Sequence, residues 1–146
     1  MTVNVIKSVS ADFTEQAGRK YAANLKPGSV TGLFGDLGSG KTRFVKGICS
    51  YFNADNLVTS PTFIIKNEYP GKDPATGKPV LIYHYDLYRI SNLNELTELG
   101  LNDFDNENSL CLIEWAELAE EYFRGNLNRV FFDYGEKENE RTIKII

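Results

Sequence analysis

The sequence predicts an α/β fold in which helices pack on a mixed β-sheet that carries an inserted β-hairpin and a C-terminal hairpin. Three observations carry this prediction. A short apolar strand at 29–34 leads into a glycine-rich turn and then into a stretch with the apolar spacing of a helix. A second apolar run, at 109–114, has the continuous hydrophobicity of a buried strand. Two further pairs of strand-like segments are separated by turn-forming residues, which is typical of hairpins.

The glycine-rich turn Gly35–Thr42 fits the pattern G-x-x-x-x-G-K-[S/T] at every fixed position. Its glycines allow backbone conformations in which successive N–H groups point at one anion, and the helix that follows adds the positive end of its dipole. In this motif Lys41 reaches the β- and γ-phosphates of a nucleotide, and the Thr42 hydroxyl holds Mg²⁺. Strand, loop and helix in this order predict a P-loop NTPase fold.

The remaining elements follow from periodicity and from cap and turn signals. Ser10 is a suitable N-cap for the first helix, and Pro27 with Gly28 ends it. In the first half we predict a strand around Val3–Ile6, a helix over Asp12–Leu25 with Phe13, Ala17, Tyr21, Ala22 and Leu25 on one face, a strand over Ser29–Phe34, a helix over Thr42–Phe52 and a strand over Val58–Tyr69. The second half holds a proline-rich turn over Pro70–Pro79, a strand over Val80–Asp86, a helix over Asn92–Gly100, a strand over Ser109–Glu114, a helix over Glu117–Phe123, and strands over Arg129–Tyr134 and Arg141–Ile146 about the turn Gly135–Glu140.

Length and composition indicate a single P-loop domain, residues 1–146, with 42% apolar and 25% charged residues. The net charge of −4 argues against nucleic-acid binding through a broad basic face. No apolar run approaches the roughly 20 residues of a membrane span, and residues 1–10 lack a signal-peptide core. Cys49 and Cys111 stand far apart without metal-like spacing, which favours reduced core thiols and a cytoplasmic location.

Two apolar strands end in an acid that could place Mg²⁺ beside the loop. Asp86 closes the run 81–86, and Glu114 closes the run 110–114. In a phosphate-loop sheet the carboxyl ends of the strands gather at the edge that carries the loop, so either acid could reach the ion. For each acid the alternative is a solvated carboxylate at a strand end. Two such acids in one phosphate-loop chain favour the metal site.

Three further features each allow two interpretations. Ser60-Pro61-Thr62 fits either a nucleotide-sensing switch segment or a strand bulge forced by proline. Trp115, the single tryptophan, is by itself typical of core or edge packing. His84, the single histidine, is interpreted as a structural residue or as one that supports the site. No Ser-His-Asp or Cys-His set has the spacing for covalent catalysis.

Five short motifs occur in a fixed order along the chain. They are Gly-Asp-Leu-Gly-Ser-Gly-Lys-Thr at 35–42, Ser-Pro-Thr-Phe at 60–63, His-Tyr-Asp-Leu-Tyr-Arg at 84–89, Glu-Leu-Gly at 98–100 and Ile-Glu-Trp at 113–115. Together they resemble the TsaE (YjeE) family of small bacterial ATPases. The sequence departs from the family pattern at Ser39 and Arg43, where Ala and Thr are frequent, and in a longer 70–79 connection.

The resemblance implies a Mg-dependent ATPase subunit that is required for the threonylcarbamoyladenosine (t6A) modification of tRNA. Its ATP hydrolysis would support turnover of the TsaB–TsaD heterodimer, its partner, without strong direct binding of tRNA and without a membrane. ATP and Mg²⁺ are the implied cofactors. The implied catalytic residues are Lys41, Asp86, Glu114 and Thr62, and the implied metal ligands are Thr42 and Glu114. Trp115 would be functional, and the implied ATP contacts are Asp36, Leu37, Gly38, Ser39, Gly40, Lys41 and Thr42, with the backbone around Ala11 near the adenine.

Three other functions stay open on the residues alone. A small-molecule kinase needs a second substrate site and usually an arginine-bearing lid, for which 146 residues leave little room. A GTP-binding switch needs an Asn-Lys-x-Asp pattern, whereas Asn67 and Asn139 are each followed by Glu. A scaffold protein with a vestigial loop is the third alternative.

Overall fold

The computed structural model describes residues 3–54, 58, 66–101, 107–124 and 126–146. The elements of this part of the chain are β1 (Asn4–Ser8), α1 (Ala11–Ala22), β2 (Val30–Phe34), α2 (Lys41–Tyr51), β3 (Lys66–Lys72), β4 (Pro79–Asp86), α3 (Leu93–Glu98), β5 (Ser109–Glu114), α4 (Glu117–Phe123), β6 (Asn128–Tyr134) and β7 (Arg141–Ile145). All of these strands belong to one sheet.

The strands are ordered β1-β7-β6-β2-β5-β4-β3 across the sheet. The central strands β6, β2, β5 and β4 run parallel, whereas β1, β7 and β3 pair antiparallel with their neighbours. Every residue of β2 and β5 is buried, as expected for parallel strands covered on both faces. The mixed sheet, the inserted hairpin β3–β4 and the C-terminal hairpin β6–β7 confirm the predicted architecture.

Helices cover both faces of the sheet. On one face, Phe44 and Ile48 of α2 pack with Leu33 of β2 in a cluster that also holds α1 residues. On the other face, Leu96 of α3 packs with Tyr85 of β4 in a cluster that includes α4 residues. Alternate residues of each central strand therefore pack into two separate hydrophobic cores, one on each face of the sheet. Among the described residues, no helix combines the length and the apolar character needed to cross a membrane.

The helices α1 and α2 cross at a pair of glycines. A Cβ on Gly47 would lie 1.8 Å from the carbonyl oxygen of Glu15, and one on Gly18 would lie 2.2 Å from the carbonyl oxygen of Phe44. The buried face of α1 is accordingly built from small residues such as Thr14. Phe13 lies on the predicted face, since it lines one cavity with Ala17 and Tyr21, but its side chain is 40% exposed and does not join the core.

The ends of most elements follow the local signals. Ser10 caps α1 as predicted, and its hydroxyl accepts the Phe13 N–H at 3.0 Å. The helix stops at Ala22, before the predicted Leu25, because the N–H groups of Asn24 and Leu25 bond back to Tyr21 and Ala22 in tight turns. β5 and α4 have the predicted bounds, and α2, α3, β6 and β7 agree with prediction within two residues at each end.

The predicted turn over Pro70–Pro79 is wrong in extent, because β3 continues through Pro70 to Lys72. Proline is tolerated there because β3 is at the edge of the sheet formed by the described strands, where β4 is its neighbour. The Lys72 N–H donates to the Phe52 carbonyl at 2.7 Å, which ties the end of β3 to the segment after α2. Of the predicted strand 58–69, residues 66–69 belong to β3, Val58 is not in a strand, and 59–65 lie outside the described residues.

Candidate nucleotide-binding site

The carboxyl ends of the central strands bring three predicted segments together at one edge of the sheet. The phosphate loop follows β2, Asp86 ends β4 and Glu114 ends β5. In the two parallel registers, Glu114 pairs with Leu33 on one side and with Asp86 on the other. Both acids that were predicted from their strand-end positions therefore lie beside the loop.

A cleft of about 330 Å³ opens at this edge. Its walls come from the loop, the starts of α1 and α2, the ends of β4 and β5, and the β6–β7 connection. The predicted residues that line it are Ala11, Leu37, Gly38, Gly40, Lys41, Thr42, Asp86, Glu114 and Trp115. The lining residues that the sequence did not place in the site are Ser10, Thr14, Arg43, Asn139 and Arg141.

The phosphate loop leaves backbone N–H groups open at the start of α2. Gly40 is the N-cap, with φ of 108° in the left-handed region, and no side chain caps the helix. Gly35 and Gly38 also have positive φ, 154° and 76°. The first N–H groups of a helix lack partners within it, and the helix dipole is positive at this end. The start of α2 is therefore suited to a phosphate group.

Lys41 begins α2, and it is only 4% exposed. Its ammonium donates to the Gly35 carbonyl and lies 3.5 Å from the centroid of the Trp115 ring. Burial lowers the pKa of Lys41, whereas the neighbouring carboxylates, Glu114 foremost, raise it. A cation with little water around it interacts strongly with an anion placed in the loop.

Thr42 and Glu114 are in direct contact between α2 and β5. The Thr42 Oγ1 lies 3.0 Å from each of the two carboxylate oxygens of Glu114. Glu114 is 3% exposed, and its Oε2 lies 2.6 Å from the Nε2 of His84. Because a buried carboxylate requires polar partners, these contacts hold Glu114 at the base of the cleft.

Asp86 lies at the neighbouring strand end and is partly buried. Its Oδ1 accepts the Tyr88 N–H at 2.9 Å. Burial is the main cause that raises the pKa of Asp86, and the charge of Glu114 raises it further, against the opposing effects of the Tyr88 amide, His84 and Lys41. Two carboxylates in one small site favour the binding of a cation between or beside them.

Trp115 follows Glu114 in a left-handed backbone conformation, with φ of 56°. For a residue with a side chain, such a conformation costs roughly 1–3 kcal/mol, and strain of this kind concentrates at functional sites. The ring packs against the core on the face of the sheet that carries α3 and α4. The Lys41 ammonium lies over the ring, and the centroid of the Tyr88 ring is 4.8 Å from its own. Trp115 thus belongs both to the core edge and to the lining of the cleft.

Two residues that the sequence analysis missed brace the loop from the C-terminal hairpin. Tyr134, at the end of β6, donates its hydroxyl to the Leu37 carbonyl. Arg141, at the start of β7 and opposite Tyr134 in register, donates to the Gly38 carbonyl at 3.1 Å. The signal that could have found them is topological, since β6 lies parallel to β2 and its end therefore falls beside the loop.

Two predicted residues, Asp36 and Ser39, are not among the described residues that line the cleft. Asp36 is exposed, and its carbonyl accepts the Ser39 N–H at 3.1 Å within the loop. Ser39 is 1% exposed, and its hydroxyl has no hydrogen-bond partner among the described residues. Thr62, together with Ser60 and Pro61, lies outside the described residues, so its switch role stays a prediction.

The oxygen atoms at the base of the cleft fit a magnesium ion. Mg²⁺ prefers oxygen ligands and, in phosphate-loop proteins, takes few of them from side chains because phosphates and waters supply the rest. Thr42 and Glu114 provide a hydroxyl and a carboxylate in contact, with Asp86 at the adjacent strand end. No three His, Cys, Asp or Glu side chains gather into a metal-binding group within the described ranges. The donor set therefore suits a metal shared with a phosphate ligand.

Comparisons with known proteins agree on one family. The family model described as "Threonylcarbamoyl adenosine biosynthesis protein TsaE" matches residues 8–143, which include every residue of the cleft. The tRNA threonylcarbamoyladenosine biosynthesis protein TsaE of Bacillus subtilis is 37% identical over 141 residues, covering 96% of this chain and 84% of the relative. The protein of the same name from Rickettsia prowazekii is 42% identical over 106 residues, covering 72% of this chain and 69% of the relative.

A solved structure matches the fold as well. The crystal structure of Bacillus subtilis YdiB aligns with a TM-score of 0.71 and 29% sequence identity, covering 99% of this chain and 84% of that one. The likeness spans the whole seven-stranded sheet and its flanking helices. It confirms the α/β fold of the P-loop NTPase type that the sequence predicts.

Proposed function

We propose that this chain, which belongs to the TsaE family, is a magnesium-dependent ATPase that serves the threonylcarbamoyladenosine modification of tRNA. The part of the proposal that concerns the tRNA modification pathway rests on the family. The observation that carries the ATPase assignment is the 3.0 Å contact between Thr42 and Glu114, beside Lys41 and the open start of α2. A phosphate-loop protein uses this donor set for a triphosphate and its Mg²⁺.

ATP would lie along the cleft with its phosphates in the loop. The N–H groups of the segment 36–42 would bind the phosphate oxygens, and Lys41 would exchange the Gly35 carbonyl for them. The backbone near Ala11 lines the same cleft from α1 and would lie near the adenine. Tyr134 and Arg141 hold the loop carbonyls, so the loop keeps its shape before the nucleotide arrives.

In the proposed reaction, water attacks the γ-phosphate and the residues act through position and charge. Lys41 stabilises the charge that moves toward the leaving phosphate oxygen. Thr42 and Glu114 would hold Mg²⁺, which when bound neutralises charge on the β- and γ-phosphates. Asp86 orders a water molecule from the adjacent strand end, and Thr62 acts in a switch-like segment.

Hydrolysis by the isolated chain is proposed to be slow. The two arginines that line the cleft, Arg43 and Arg141, are engaged by acceptors of the protein itself. Arg43 lies 2.8 Å from Asp12, and Arg141 bonds the carbonyls of Gly38 and Glu138. A free arginine at the γ-phosphate raises phosphoryl-transfer rates strongly when a partner or a rearrangement supplies it.

The TsaB–TsaD heterodimer is the proposed partner, with ATP hydrolysis supporting its turnover. The net charge of −4 argues against strong direct binding of tRNA through a broad basic face. The proposed location is the cytoplasm, which agrees with a tRNA pathway and with the buried thiols of Cys49 and Cys111, which form no disulfide with each other.

The test is ATP hydrolysis measured with and without purified TsaB–TsaD on the wild type and on Glu114→Gln. The wild type is expected to be slow alone and faster with the heterodimer. Glu114→Gln keeps the shape of the side chain but removes its charge, so we expect hydrolysis at least about 100-fold lower in both conditions. The matched control is Glu121→Gln, the same change at an exposed position of α4, which should behave as the wild type.

Two results would contradict the proposal. Wild-type activity in Glu114→Gln would show that the proposed ATPase site is wrong. If TsaB–TsaD left the wild-type rate of hydrolysis unchanged, the proposed dependence on this partner would be wrong. The ATPase assignment would still stand.

A further inference from the structure

A line of hydrogen bonds runs from the base of the cleft to the edge of the sheet. His84 is fully buried, at 0% exposure, and its Nε2 lies 2.6 Å from the Oε2 of Glu114. On the other side of the ring, the Nδ1 lies 2.9 Å from the Tyr69 hydroxyl of β3, which is 3% exposed. The Asn67 amide lies 3.3 Å from the same hydroxyl.

The chemistry of the two ends sets the direction of these bonds. The ionised carboxylate of Glu114 can only accept, so the proton between it and His84 belongs to Nε2. The Asn67 amide nitrogen can only donate, so it contributes its hydrogen to the Tyr69 oxygen. The Tyr69 hydroxyl lies at hydrogen-bond distance from Nδ1 on the other side of the ring. Both ring nitrogens of the buried imidazole therefore have a polar partner.

We propose that His84 is a positioning residue for the metal ligand Glu114, and that the Tyr69 hydroxyl holds the imidazole from its other side. This inference rests on the proposed function, in which Glu114 holds Mg²⁺. The imidazole restrains Oε2 and thereby the rotation of the carboxylate about its last bond. The Thr42 hydroxyl lies 3.0 Å from both Oε1 and Oε2, so the contact with His84 is the one that distinguishes the two carboxylate oxygens.

The arrangement matches the way metal ligands are oriented in other proteins. A group hydrogen-bonded to a ligand fixes its orientation, and its loss typically lowers metal affinity or activity by about 10- to 100-fold. Glu114 has one partner on each side, Thr42 from α2 and His84 from β4. Without His84, the buried carboxylate keeps its charge but loses the contact that orients it.

The first experiment detects the Nε2 proton of His84 in the wild-type protein without nucleotide or metal. Because His84 is the only histidine, the ¹⁵N signals of the imidazole need no assignment by mutation. We expect a proton on Nε2, the nitrogen that faces the Glu114 carboxylate. An Nε2 without a proton would overturn the proposed contact with Glu114.

The second experiment separates positioning from packing. A non-hydrolysable ATP analogue is titrated calorimetrically into His84→Gln and Tyr69→Phe, with Mg²⁺ and with a chelator. We expect Mg²⁺ to strengthen binding about 10- to 100-fold less in His84→Gln than in the wild type, with the metal-free affinity unchanged. Tyr69→Phe should show a smaller loss of the same kind and a shifted imidazole signal. An equal loss with and without metal would indicate a structural role only.

The matched control is Tyr122→Phe. The Tyr122 hydroxyl is buried, but it has no hydrogen-bond partner among the described residues, so its removal should change neither the imidazole signals nor the effect of Mg²⁺. Unchanged Mg²⁺ dependence in folded His84→Gln would overturn the inference. If the wild type itself shows no Mg²⁺ dependence, the proposed function fails and the positioning role fails with it. A missing Nε2 proton together with a normal Mg²⁺ dependence of the wild type overturns the positioning role and leaves the proposed function standing.

Discussion

At the scale of single residues, Asp86 carries a charge that the folded chain disfavours. It is partly buried and lies opposite Glu114 in the register of two parallel strands. Burial and the second carboxylate raise its pKa above the ordinary value, so the folded state binds a proton more readily than the unfolded chain does. Above the raised pKa, the ionised side chain therefore lowers the free energy of unfolding.

Asp86→Asn is expected to stabilise the nucleotide-free protein at neutral pH by roughly 0.5–1 kcal/mol, because it removes this charge and keeps an acceptor for the Tyr88 N–H. The gain should shrink as the pH falls through the raised pKa, and it should vanish below about pH 4, where the unfolded carboxyl is also protonated. Urea unfolding at a series of pH values, without metal, checks this. A gain that grows toward acid pH has the opposite sign and contradicts it.

The fluorescence of Trp115 is expected to report whether the Lys41 ammonium lies over its ring or has moved to a bound phosphate. The ammonium lies 3.5 Å from the ring centroid and donates to the Gly35 carbonyl, a position that it must leave to bind phosphate. Trp115 is the single tryptophan of the chain, so its fluorescence reports one site.

A magnesium-bound ATP analogue is expected to change the emission of Trp115 as the ammonium moves from the ring to the phosphates. Lys41→Ala should remove the response and weaken binding by about 10- to 100-fold, the cost of about 1.5–3 kcal/mol for charged hydrogen bonds. Lys46→Ala, at a half-exposed lysine of the same helix, is the control. Emission that stays constant while calorimetry shows full binding would disprove the coupling.

At the scale of elements, the contact of α1 with α2 depends on the absence of side chains. Both helices support the cleft, since α1 contributes Ser10 and Ala11 near its start and α2 contributes Lys41 and Thr42. A Cβ on Gly47 would lie 1.8 Å from a backbone oxygen of α1, so the helices would have to separate to accept it.

Gly47→Ala is expected to lower the free energy of unfolding by about 1–3 kcal/mol, the usual cost of overpacking, although alanine favours the helix itself. Gly77→Ala is the comparison, because nothing lies within 4 Å of its Cβ and only its φ of 74° opposes the change. We expect a loss of about 1 kcal/mol there. Equal stability of Gly47→Ala and the wild type in urea would contradict the close crossing.

At the scale of the whole molecule, the cleft draws residues from both ends of the chain. Ser10 and Arg141 line it together, although they lie near opposite termini. A ligand that contacts α1, the loop, β4, β5 and the C-terminal hairpin binds only the assembled fold. Binding energy therefore adds to the stability of the whole sheet.

ATP analogue with Mg²⁺ at about 100 times its Kd is expected to add about 2.7 kcal/mol to the free energy of unfolding. For a chain of this size, that corresponds to a rise in Tm of about 5–10 °C. Lys41→Ala should show a much smaller rise. A rise of the same size in the presence of a chelator would contradict a shared metal site.

Much of the fold and of the site can be predicted from local patterns. The residues of the phosphate loop predict phosphate binding by themselves. A continuous apolar run that ends in an acid, as at Glu114, predicts a buried strand with a carboxylate at its end. The same reasoning fails where packing decides. Phe13 has the helical spacing of a core residue but is 40% exposed, and Pro70 favours a turn but lies in an edge strand.

The sequence by itself determined the loop, its lysine and threonine, and the pair of strand-end acids, because these depend on residues adjacent in the chain. Only the tertiary structure decided that His84 bonds Glu114 across 30 positions and that Arg141 bonds Gly38 across 103. Those contacts follow from the order of the strands, which places β4 beside β5 and β6 beside β2. Periodicity and spacing describe which face of a strand is buried, but they do not specify which strands become neighbours.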